Sequence, residues 1–170
     1  MSYARFAAMI AASTIVMFGL MYLNSYALDH VFYSQTRTWM AVVMGATMAV
    51  IMLFFMRSMY KNKRVNTAII VGGAITFSLA LWLVRSQETV YDLSYMRAMI
   101  PHHSIAILTS ERAHIKDPRV RRLADGIIEA QVREIEEMKQ LIADLERNPT
   151  PKDAPDLLSY GKRGAPPPRQ

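Results

Sequence analysis

The chain contains no cysteine. That absence excludes a disulfide framework, a thiolate metal site and a catalytic thiol. It suits an oxidising compartment without requiring one. Acidic side chains are almost missing from the first half: residues 1–84 hold 6 basic residues and 1 acidic one, Asp29. Histidine is scarce too, at 4 in 170 residues. Three long apolar runs carry no charged side chain at all, which argues against the paired intramembrane charges of a pump or coupled transporter.

The net charge of +6 does not mark a nucleic-acid binder, because of where the charges lie. Residues 85–147 hold 10 basic and 11 acidic side chains, and the tail from Asn148 holds 4 and 2. The excess sits mainly beside the apolar runs, which is the pattern of membrane topology.

Those runs cover about residues 6–23, 39–56 and 67–84. Each makes roughly 27 Å of helix, close to the ~30 Å hydrocarbon core of a bilayer. The first is too long for a signal-peptide core, no clean small-x-small cleavage site follows it, and two more runs come after it, so it is expected to be a retained span. Arg57, Lys61, Lys63 and Arg64 crowd the loop between the second and third runs, whereas the loop between the first and second has Arg37 against Asp29. The positive-inside rule then puts the N-terminus in the cytoplasm and the chain after Arg85 outside, in the periplasm of a bacterium with an inner membrane. Tyr22, Trp39, Tyr60 and Trp82 stand at span ends, where interfacial aromatics belong. In the second run Met40, Met44, Met48, Met52 and Met56 recur every fourth residue. This inclined ridge suits flexible packing against a neighbouring helix; a thioether ladder for Cu(I) is the sharper alternative.

From Ser86 the periodicity becomes that of soluble helices. One helix is expected from about Glu88 to Ile115, with Pro101 inside it. A second is expected over Pro118–Arg147, capped by Asp117, with Val120, Leu123, Ile127, Ile135, Met138, Ile142 and Leu145 as its apolar stripe. The proline-rich tail after Asn148 is expected to be disordered. The fold class is thus all-α, in three parts: a three-span membrane domain over 1–85, an antiparallel helical hairpin over 86–147, and the tail over 148–170. Two helices bury little surface alone, so the hairpin needs a second copy, which would complete a four-helix bundle, or another membrane protein to dock on.

The stretch Tyr95–His114, YMRAMIPHHSIAILTSERAH, concentrates the chemistry. Asp92, Met96, Met99, His103, Ser110 and His114 follow helical spacing along one face, and His102 lies about 100° round from His103. On the second helix Gln131, Glu134 and Met138 lie along or beside the stripe. Polar groups aimed at a packing seam cost about 1–3 kcal/mol each unless paired or metal-bound. Imidazole with thioether and no thiolate suits copper, although another metal is not excluded. Glu111 and His114 also form a Glu-x-x-His, the spacing of di-iron and di-manganese bundles; a symmetric dimer with Glu134 or Glu129 would have to supply the rest. The structural alternative is that Pro101 starts a second helical segment and the histidines merely sit in its first turn.

The MIPHHSIAI block, followed by DPRVRRLADGIIEAQVREIEEM, resembles the domain-of-unknown-function family 305, a ferritin-like helical group. The resemblance covers about Tyr91–Leu145. It implies half of a ferritin-like bundle, and in some members periplasmic copper binding linked to copper resistance. The family pattern falls on Asp92, Met96, Met99, His102, His103, Gln131, Glu134 and Met138. The chain departs from it at Leu108-Thr109, where many members carry Asp-Met.

The expected function is therefore a membrane-anchored periplasmic protein that binds, buffers or delivers copper and turns nothing over. His102 and His103 would be the main ligands. Met96, Met99, Met138, His114 and Glu134 are further candidates, and Asp92, Gln131 and Glu111 would orient them. The rivals are a structural or assembly subunit without metal and a dimeric ferritin-like di-metal redox enzyme.

Overall fold

The computed structural model describes residues 2–151 and 153–159. Among the described residues the chain is all-helical. The helices are α1 (Tyr3–Leu20), α2 (Gln35–Phe55), α3 (Lys63–Ser86), α4 (Asp92–Arg112) and α5 (Pro118–Arg147), with a 3₁₀ turn at Leu28–His30. Side-chain caps set several starts. Ser2, Ser34, Asn62 and Asp117 each accept from the first-turn backbone N–H groups of the helix they precede.

Helices α1, α2 and α3 are long and apolar enough to cross a membrane. Of α1 only Phe6 is buried, and of α3 only Ala80. Large apolar side chains such as Ile15, Val16, Ile70, Ile75 and Leu79 point outward, which is the surface a lipid environment calls for. The middle helix, α2, is different. Ala41, Val43, Gly45, Ala46 and Leu53 are buried because α1 and α3 both pack on it. Small residues permit the approach. A Cβ on Gly45 would stand 2.5 Å from Thr14 Oγ1, and one on Gly73 would stand 2.8 Å from Val50 Cγ2.

Met52 and Met56 of the methionine row pack against the cluster of Phe6, Leu53 and Tyr60, while Met40 at the other end is exposed. Tyr60 is not an interfacial anchor. It is 2% exposed, with ring centroids 5.0 Å from Tyr3 and 5.3 Å from Phe6. A ring that can stack on two others is worth more inside the fold than at a headgroup.

The remaining two helices form an antiparallel pair, α4 against α5. Helix α4 starts later than Glu88 and ends before Ile115. Gln87 adopts the left-handed conformation after α3, and the Tyr91 N–H then donates to Ser94 Oγ at 2.8 Å to begin the next helix. Pro101 lies buried within one continuous helix rather than starting a new segment.

The core of the pair is Met96, Ile100, Ile107, Ile135 and Ile142, with Met138, Ile128 and Leu145 packed on it. This corrects the expected stripe. Val120, Leu123 and Ile127 are exposed, and Ala124 and Ile128 take the inward positions instead. The inward set repeats as Ile128, Ile135, Ile142, a seven-residue spacing that keeps one seam facing a nearly antiparallel neighbour. Residues 149–151 and 153–159 form no helix and are exposed where they are described; Pro166–Pro168 lie outside the described residues.

Candidate metal centre

The α4–α5 seam opens on one side into a cavity of about 410 Å³. Asp92, Tyr95, Met96, Met99 and His103 line it from α4, and Glu134, Glu137, Met138, Leu141 and Leu145 from α5. Spacings of three and four residues bring the α4 set onto one face. His103 is the only histidine there. Its Nδ1 lies 3.0 Å from the Met99 carbonyl oxygen one turn back, and its Nε2 lies 2.8 Å from Glu134 Oε2 on the opposite helix. The carbonyl can only accept, so Nδ1 carries the hydrogen, and the Nε2 lone pair of a neutral ring is turned toward Glu134 and the cavity. With a proton on Nε2, or on Glu134, the same contact is an interhelical hydrogen bond.

The adjacent histidines face different places. His102 is exposed and lines a second cavity of about 280 Å³ with Ser34, Arg37 and Ala98, against the start of α2. Met99 and Tyr95 border both cavities. Gln131 is half-buried and stands outside the lining of either. Glu111 and His114 do not form a pair on one helix. Ala113 is already extended, so the 3.6-residue period that would align them stops before His114, and both side chains are exposed. Glu129 is exposed as well.

Among the described residues no group of three or more His, Cys, Asp or Glu side chains stands ready for a metal ion. What the cavity offers instead is one imidazole, carboxylates and three thioethers, from Met96, Met99 and Met138. Thioethers suit a soft ion, and a single imidazole does not suit one that needs several.

The site is held against the first loop by contacts that sequence patterning did not anticipate. Ser104, fully buried on α4, accepts from the Tyr26 N–H at 2.7 Å and lies 3.0 Å from His30 Nδ1. Lys139 pairs with Asp29 at 2.6 Å. The Arg37 guanidinium lies over the Tyr22 ring, 4.4 Å from its centroid, and donates to the Pro101 carbonyl at 3.4 Å. Burial lowers the affinity of His30 for a proton, with Lys139 acting in the same direction and Asp29 opposing it. The Lys139 hydrogen bond holds the Asp29 carboxyl below its ordinary range. The available signal was a loop of mixed charge, too short in pattern to reveal its partner on α4.

Comparison with known proteins decides the family of this part. Residues 87–165 match the family model described as "Domain of unknown function (DUF305)". The hairpin is a DUF305 domain. The chain is also similar to an uncharacterized protein of Acanthamoeba polyphaga mimivirus, 39% identical over 66 residues, which is 38% of this chain and 43% of that relative. The chain therefore spans less than half the length of that relative. No solved structure matches the chain.

Proposed function

We propose that this chain is a membrane-anchored copper-binding protein whose DUF305 hairpin holds Cu(I) in the Met-lined cavity of the α4–α5 seam. The observation that carries the reading is the setting of His103. Its Nδ1 is tied to the Met99 carbonyl, its Nε2 faces the cavity, and three thioethers from two helices border the same space. His103 would supply the nitrogen ligand and Met96, Met99 and Met138 the sulfurs. Glu134 would accept from Nε2 when no metal is there, and the Met99 carbonyl would hold the ring through Nδ1 when Nε2 turns to the metal. Asp92 adds charge at the cavity edge. His102 and His114 take no part.

A single soft-ligand site suits storage or delivery, not turnover. The basic 57–64 loop supports a bacterial inner-membrane protein with a cytoplasmic N-terminus and the hairpin in the periplasm. Exposed Val120, Leu123 and Ile127 give α5 an apolar face on which a second copy could complete a four-helix bundle.

The second reading, a structural or assembly subunit, is favoured by one contact. The His103–Glu134 link joins α4 to α5 directly at 2.8 Å. Copper loading of the full chain in detergent, under reducing conditions, separates the two. The metal reading expects near-stoichiometric Cu(I), little Zn(II), and loss of copper in a still-helical His103→Ala variant. Absence of retained copper in the parent, with His103→Ala merely less stable, would favour the structural reading.

A further inference from the structure

The opposite end of the molecule carries another cavity, unrelated to the metal centre. It is a crevice of about 400 Å³ between the end of α2 and the start of α3. Its lining is graded along the helix axes. Val50, Leu53 and Ile70 form the apolar depth, toward the middle of the spans, and Arg57, Lys63 and Asn66 form the mouth. An apolar slot with cations at one end is the shape of an amphiphile with an anionic head.

Three further observations point the same way. First, neither Arg57 nor Lys63 has an ion-pair partner among the described residues, although acidic partners hold Arg97, Arg119, Arg121 and Lys139 elsewhere. Second, the one carboxylate of residues 1–84, Asp29, is engaged by Lys139 at the far end of the spans. Third, the mouth is braced. Asn66 donates to the Tyr60 carbonyl at 2.8 Å and accepts from the Tyr3 hydroxyl at 2.8 Å, so α1, α3 and the turn that joins α2 to α3 are tied beside it. The α3 N-terminus is not itself the anion site, since the Asn62 side chain already accepts from the Arg64 and Val65 N–H groups.

The positive-inside bias accounts for how many basic residues this end carries. It does not account for two of them lining an apolar crevice.

We infer that this crevice holds an anionic phospholipid of the surrounding bilayer. One acyl chain lies along Val50, Leu53 and Ile70, and the headgroup phosphate is held by Arg57 and Lys63. The assignment rests on α2 and α3 crossing a bilayer and is independent of the copper reading. A phosphate engaged by both basic side chains also ties the end of α2 to the start of α3, next to the cluster of Phe6, Leu53 and Tyr60 that anchors α1.

The test is native mass spectrometry of the full chain. The protein is released from detergent after incubation with phosphatidylglycerol or with phosphatidylcholine of the same acyl chains. Phosphatidylglycerol should be retained in preference, with affinity falling about fivefold in Arg57→Gln and in Lys63→Gln and about twenty-five-fold in the pair. Arg85→Gln, at the other end of α3, should leave the preference intact. Ile70→Trp, which fills the depth and keeps the charges, should reduce retention of phosphatidylglycerol. Glycerol 3-phosphate, which has the head and no chains, should not displace the lipid at equal concentration.

Equal retention of the two lipids would overturn the site while leaving the membrane reading standing. Displacement by glycerol 3-phosphate would show a free-phosphate site instead. An Arg85→Gln effect equal to that of Arg57→Gln would reduce the preference to the overall field of the protein.

Discussion

The Ser104 hydroxyl, buried on α4, lies 3.0 Å from His30 Nδ1 and also accepts the Tyr26 N–H at 2.7 Å. One side chain of the DUF305 hairpin thus fastens the loop that joins the first two spans. Because burial holds His30 below its usual proton affinity, docking is coupled to pH. The unfolded chain takes up a proton near pH 6.5 and the docked ring resists it, so stability is fully present above that pH and falls as pH drops through the lowered value. Thermal unfolding in detergent should show a lower melting temperature at pH 5 than at pH 7.5. His30→Asn should flatten that difference. An unchanged slope in the variant would assign the pH response to another group.

Ser104→Ala should cost about 1–3 kcal/mol, because it leaves the Tyr26 N–H without its acceptor. Amide hydrogen exchange at Tyr26 reports this directly. Faster exchange confined to the 21–34 loop is the expected pattern.

The exposed and buried faces of α5 make opposite predictions. Ile135 is 2% exposed and Leu123 is 66% exposed. Ile135→Ala should destabilise by about 2–5 kcal/mol, whereas Leu123→Ser should change monomer stability by no more than about 0.5 kcal/mol. Thermal denaturation of both, at a concentration where the chain is monomeric, checks the pair. A large loss in Leu123→Ser that grows with protein concentration would show that a second copy covers that face.

Gly45 and Thr14 test the membrane part. A Cβ at Gly45 would meet the stiff, β-branched Thr14 at 2.5 Å, and the Thr14 hydroxyl is already bonded to the Ile10 carbonyl at 2.8 Å. Gly45→Val should separate α1 from α2 at a cost of about 1–3 kcal/mol, and Thr14→Ala should recover part of it. A double-mutant cycle on melting in detergent measures the coupling.

Much of this was legible in the sequence, for physical reasons that differ from one residue to the next. The spans showed because bilayer thickness demands uninterrupted apolar runs. Helix α5 showed because Asp117 and Pro118 mark a start. The inward side of its first half did not show: Leu123 is more apolar than Ala124, but the close approach of α4 favours the smaller residue. His102 and His103 looked like one site because they are adjacent, yet neighbours on a helix diverge by about 100°, and only His103 reaches the seam. Glu111 and His114 looked like a metal pair until the helix ended between them. The contacts of His30 and Asp29 in the loop and of Arg37 at the start of α2 have no local pattern, since their partners lie far along the chain at Ser104, Lys139 and Pro101.

The central claim is that His103 and the methionines of the seam bind Cu(I). X-ray absorption fine structure at the copper edge, on the full chain loaded under reducing conditions, tests it most directly. A first shell of sulfur scatterers with one imidazole nitrogen is expected. The nitrogen should disappear in His103→Ala and persist in His102→Ala, and sulfur should be lost in Met96→Leu/Met99→Leu/Met138→Leu. A shell of nitrogen and oxygen alone, or copper that leaves the parent on desalting, would contradict it.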